Sequence, residues 1–130
     1  MDFIYEQKTD KTFEQAVKDL TANLAAHSFG VLWQLNFKDK LQEKGLEFDH
    51  NFMVLEVCNP AQAKKVLDQK LEMGYMLPCK MAIYEKDGVV RLGMMKPQAL
   101  VQLMGENDLG ETALEVEMTL RKAIDDSIHK

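Results

Sequence analysis

The sequence predicts an α+β fold. Residues 1–130 read as one two-layer α/β domain, with a mixed sheet of about five strands and helices mainly on one face. Three observations carry this. Stretches with the two-residue period of strands alternate with stretches of helical period, in the order strand, helix, strand, short helix, strand, helix, strand, strand, helix, helix. Asp87–Gly88, between two alternating runs, marks a hairpin. No repeat, low-complexity stretch or Pro/Gly/Ser-rich linker interrupts the chain, so all elements share one core.

The elements follow in order. "DFIYEQ" is a short first strand. Asp10 or Thr12 caps the helix after it, and "TFEQ" fits a capping box, Gln15 standing three residues after Thr12. Ala16, Val17, Leu20 and Leu24 recur at helical spacing, and "SFG" at 28–30 stops the helix. "VLWQLNF" alternates, with Val31, Trp33, Leu35 and Phe37 on one side and Leu32, Gln34 and Asn36 on the other. "KDKLQEKG" is a short helix ending at Gly45. In "NFMVLEVC", Met53, Leu55 and Val57 face one way, Val54, Glu56 and Cys58 the other. Asn59 caps the next helix, with Pro60 in its first position, where a missing N–H costs nothing. Its apolar stripe is Ala63, Val66, Leu67 and Leu71. The hairpin "CKMAIYE-KDG-VVRLGMM" is followed by a short helix from Pro97 to Met104. In the last helix Leu109, Ala113, Val116, Leu120, Ile124 and Ile128 are spaced for burial.

Composition narrows the function. A net charge of −5 opposes binding to a nucleic-acid backbone, which demands a basic footprint. Acids outnumber bases seven to three over residues 105–130, which reads as a solvated outer helix face, or else as a surface for a basic partner. No run approaches the roughly 18–20 apolar residues that span a bilayer, and "MDFIYEQK" lacks the pattern of a signal peptide. The expected compartment is the cytoplasm, in keeping with two cysteines only, 21 positions apart.

Chemistry has few footholds. His27, His50 and His129 form no metal motif, Gly93, Gly105 and Gly110 are isolated, and Ser28 and Ser127 sit in no nucleophile elbow. Met73, Met76, Met81, Met94 and Met95 cluster near Cys79; soft sulfur suits Cu(I), but methionine also fills irregular cores, and core is the expectation. Neither metal nor cofactor is expected. Cys58, beside a helix start, is the candidate reactive thiol, since unpaired N–H groups and the helix dipole lower a thiol pKa. Glu56 on the same strand face opposes that effect. A strand–helix–strand unit with parallel strands would set Cys58 and Cys79 about 20 Å apart at opposite ends of the sheet, and on opposite faces.

Two signatures, "EVCNPAQA" and, some twenty residues on, "LPCKMAIYEKDG", resemble the uncharacterised prokaryotic domain-of-unknown-function family 302, as does a first helix closing on Phe29-Gly30. His50, in "FDHNF", lies outside that pattern. The resemblance implies a small two-layer domain, found alone or fused to other modules, and a homodimer. It implies no activity.

Strand alternation assembles one polar sheet face from Gln34, Asn36, Glu56, Cys58, Lys80, Tyr84 and Arg91. Such a face can cradle a small polar ligand or close a dimer with cross-strand charge pairs. The reading is a cytoplasmic binding or interaction module, a homodimer working through this face, with no nucleic-acid or membrane partner. The alternative is a thiol-dependent redox or sulfur-transfer protein using Cys58. Convergence of the polar set in a cleft would favour a ligand, and a flat arrangement an interface.

Overall fold

Five strands form one sheet in the order β1-β5-β4-β3-β2: β1 Ile4–Thr9, β2 Gly30–Asn36, β3 Phe52–Cys58, β4 Cys79–Lys86 and β5 Val89–Met95. The computed structural model describes residues 3–105 and 107–129. Asp2 of the expected first strand, and Glu106 and Lys130 of the acidic stretch, lie outside them. The helices are α1 Phe13–Ala26, α2 Phe37–Glu43, α3 Pro60–Gln69, α4 Pro97–Leu103 and α5 Gly110–Ser127, with 3-10 turns at Leu71–Met76 and Asn107–Leu109. The α+β class stands. Every strand pair is antiparallel, however, so the sheet is not mixed.

The two edge strands, β1 and β2, run in the same direction, and α1 carries the chain from one edge to the other. Four strand spacings are about 19 Å. The 14 residues of α1 are about 21 Å long, enough for the crossing. Thr12 caps α1 as expected, its hydroxyl accepting from the Gln15 N–H at 3.1 Å. The Gln15 side chain turns forward to Asp19 at 2.7 Å instead of back to the cap, so the capping box is only half built. Leu20 and Leu24 of α1 pack with Leu120 and Ile124 of α5 against Leu55, Met81, Ile83 and Leu92 of the sheet. That layer is the core. Asp87 and Gly88, both at positive φ, make the tight β4–β5 hairpin.

The connection from β3 to β4 departs from expectation. It doubles back rather than crossing the sheet. α3 leads away from the end of β3, Lys70 is extended, and the 3-10 turn with a cis Leu77–Pro78 bond returns to the same end. Cys79 therefore pairs with Val57, one residue from Cys58. The two cysteines lie at one end of the sheet, not at opposite ends, though on opposite faces as alternation requires. Ending α3 at Gln69 also takes Leu71 off the apolar stripe, and its side chain is 76% exposed. Among the described residues, no helix is long and apolar enough to cross a membrane.

Candidate functional site

The helices α1 and α5 cover one face of the sheet. On the other, register brings Glu6 of β1 opposite Gly93, Arg91 opposite Tyr84, Tyr84 opposite Phe52, and Glu56 opposite Lys80. A continuous row results. The Tyr84 hydroxyl donates to Glu6 Oε2 at 2.5 Å, and Arg91 Nε lies 3.8 Å from Glu6 Oε1. The Arg91 guanidinium also sits 6.0 Å from the centre of the Tyr84 ring. Tyr84 stacks on Phe52 at 5.3 Å, and Phe37 meets Phe52 edge-on at 5.8 Å. Partial burial raises the Tyr84 phenol above its ordinary value, and its bond to the Glu6 carboxylate adds to that, against the opposing charge of Arg91. The phenol is a donor at neutral pH.

Five of the seven polar-face residues share this open face: Glu56, Cys58, Lys80, Tyr84 and Arg91. Gln34 and Asn36 do not. A bulge at Leu32 inserts one residue between the Val31–Val57 and Trp33–Glu56 pairs, and reverses the facing of everything after it. Trp33 and Leu35 thereby join the open face, apart from Val31, while Gln34 pairs with Leu55. Asn36 has a local task, its Oδ1 accepting from the Asp39 N–H at 3.1 Å to cap α2. Glu6 was absent from the sequence-derived set, although the alternation of "IYEQKT" places it with Ile4 and Lys8. The row is flat. Glu6, Tyr84 and Arg91 bind one another rather than converge on a common point, while Trp33 stays 48% and Leu32 64% exposed.

Cys58 does not exploit the helix start beside it. Asn59 Oδ1 accepts from the Gln62 N–H at 3.2 Å and serves the first turn of α3. Burial pushes the Cys58 thiol above its ordinary value. Cys79, deeper on the core side, is pushed up to about 11 by burial and by the neighbouring Cys58.

A second feature was not foreseen. A cavity of about 330 Å³ lies between the 71–78 segment, α4 and α5, against the ends of β3, β4 and β5. Met73, Met76 and Met95 line it beside Cys79, whereas Met81 and Met94 belong to the main core. Glu56 and Lys80 stand on its wall, and the neighbouring Tyr75 is 91% exposed, which marks the open side. Nothing in the sequence signals this space, because three segments remote in the chain enclose it. Among the described residues, no group of three His, Cys, Asp or Glu side chains is placed to hold a metal ion.

Fold and site together define a class: a small α+β domain with α1 and α5 layered on one face of an antiparallel sheet whose other face is covered only in part, by α2. The chain matches the family described as "Domain of unknown function DUF302" over residues 5–127, and it belongs to that family. It is similar to the crystal structure of an uncharacterized conserved DUF302 protein from Bacillus stearothermophilus. That likeness has a TM-score of 0.94 at 38% identity and covers 98% of this chain and 99% of the other. No curated protein matches.

Proposed function

We propose that the protein is a homodimeric interaction module whose open sheet face packs against a second copy of itself. The observation that carries this reading is the half-apolar sheet face opposite α1 and α5, on which only the short α2 packs, through Phe37 against Phe52. It presents Trp33, Leu35, Phe52 and Ile4 among charges of both signs, Glu6, Lys8, Glu56, Lys80 and Arg91. A two-fold axis sets such a surface on itself, and mixed charges make it self-complementary. Sparse cysteines on opposite faces of the sheet suit a reducing compartment, and on that ground we assign the cytoplasm. The thiol alternative gains no support, since burial raises the Cys58 thiol instead of lowering it.

The test is sedimentation at micromolar concentration. Twice the chain mass is expected for the native protein and for Met118→Glu, which alters the exposed helical side. Trp33→Glu, on the open face, is expected to give a folded monomer. A native monomer ends the proposal, and so does a Trp33→Glu dimer as tight as the native one.

A further inference from the structure

We propose that the cavity between the 71–78 segment, α4 and α5 is a binding site for a small uncharged molecule. The molecule would have an apolar body of about eleven non-hydrogen atoms and one hydroxyl or carbonyl group. This site meets the proposed dimer face at Glu56 and Lys80, but its other walls belong to the 71–78 segment, α4 and α5, and it does not depend on the dimer. Four observations lead there.

The first is size. A space of about 330 Å³ is at the lower end of ligand pockets and corresponds to roughly eleven water volumes. The second is the wall. Met73, Val101, Leu109 and Ala113 form a buried apolar cluster of their own, apart from the main core, with Val66 and Met76 against it. Water there would find few partners, whereas an apolar solute would find flexible methionines able to fit around it.

The third observation is Thr112. It lines the cavity from α5 with its residue surface only 9% exposed, and no hydrogen bond of its hydroxyl is seen among the described residues. The hydroxyl can donate to or accept from a hydroxyl or carbonyl on a molecule held in the cavity. The fourth is charge. Glu56 and Lys80 face each other across β3 and β4 on the same wall, so opposite charges offset one another and neither anion nor cation is favoured. Cys79, whose thiol is held neutral by burial, adds surface and no charge.

The probes are 1-naphthol and naphthalene, which share one bicyclic body and differ by a hydroxyl. They are titrated into the full chain while backbone amide resonances are followed by NMR. Saturable binding of both is expected, with shifts centred on Met73, Val101 and Ala113 and 1-naphthol preferred several-fold. Thr112→Val keeps the volume and removes the hydroxyl; it should abolish the preference while leaving naphthalene affinity within twofold. Ala113→Leu fills the space and should weaken both at least tenfold. Thermal unfolding checks that each variant folds, and if Ala113→Leu does not, the Thr112→Val comparison decides alone. Absence of saturable binding overturns the proposal, as do shifts confined to the open sheet face. A preference for 1-naphthol that survives Thr112→Val overturns it too.

Discussion

The Tyr5 hydroxyl donates to Asp125 Oδ1 at 2.5 Å, joining residues 120 positions apart and pinning the edge strand β1 to the last helix. The contact is one end of a longer chain. Gln7 Nε2 donates to the same hydroxyl at 2.8 Å, and the Arg121 guanidinium stacks 4.4 Å from the centre of the Tyr5 ring. Arg121 Nη2 reaches Glu117 Oε2 at 3.2 Å, and Glu117 Oε1 accepts the Gln98 N–H at 3.1 Å in the first turn of α4. One connected set of polar groups thus ties β1, α5 and α4 together.

Glu117 is the hinge of this set, buried to 4% exposure. Glu117→Ala leaves the half-buried Arg121 charge and the Gln98 N–H without their acceptor. Hydrogen bonds to charged groups contribute about 1.5–3 kcal/mol, so a loss of about 2–3 kcal/mol is expected. Glu117→Gln, which keeps an acceptor for Gln98, should lose less. Urea unfolding at pH 7 measures both.

Tyr5 governs behaviour in alkali. Burial raises its phenol above the ordinary value of 10.0, and the hydrogen bond to Asp125 raises it further. The unfolded chain therefore releases this proton at lower pH than the folded one. Stability from this source is complete below about pH 10 and is lost as pH rises from there through the folded value. Tyr5→Phe is expected to cost about 1 kcal/mol at pH 7 through the lost hydrogen bond. It should also unfold less steeply with pH above 10, so the two urea midpoints converge. Parallel midpoints from pH 7 to 11 would refute the link.

Ser28 occupies a glycine position. At the end of α1 the Phe29 N–H bonds to Leu24 O and the Ser28 N–H to Ala25 O, with Ser28 at φ 66°. The same pair of bonds closes α2, where Leu46 bonds to Leu41 and Gly45 stands at φ 77°. A left-handed residue with a Cβ is strained by roughly 1–2 kcal/mol, offset in part by the greater unfolded freedom of glycine. Ser28→Gly should gain about 0.5–1 kcal/mol. An unchanged or lower thermal midpoint would show that Ser28 carries no such strain.

Local signals were legible in the sequence, and non-local ones were not. Thr12 and Asn59 cap their helices, Asp87–Gly88 turns the hairpin, and Leu109, Ala113, Val116, Leu120 and Ile124 are all buried. Each follows from spacing within one element. The facing of Gln34 and Asn36 was lost to the bulge at Leu32, since alternation assumes a strict two-residue period and a bulge adds one residue without a mark in composition. The β3–β4 pairing was misread for another reason. A helix between strands usually signals a parallel crossover, and the extended Lys70 that turns the chain back has no distinctive residue type. The cavity depends on how three segments pack, which periodicity cannot express.

The two thiols provide the last prediction, because reactivity follows the thiolate and not the thiol. Cys79 is held at about 11, so at pH 8 about one molecule in a thousand carries its thiolate in the folded state. Cys58 lies on the opposite face, half-buried, and its thiol is raised above the ordinary 9.0 by desolvation. Among the described residues no cation counters that rise: Asn59 caps α3, and Lys80, on the same face, stands opposite Glu56. Iodoacetamide at pH 8 should therefore modify Cys58 slowly and leave Cys79 intact until urea unfolds the chain, whereupon both react. In Cys79→Ser protein, the pH midpoint of Cys58 labelling should lie above 9. A midpoint below about 7 would mean that a positive group reaches the sulfur, and would restore the thiol-dependent reading of this site.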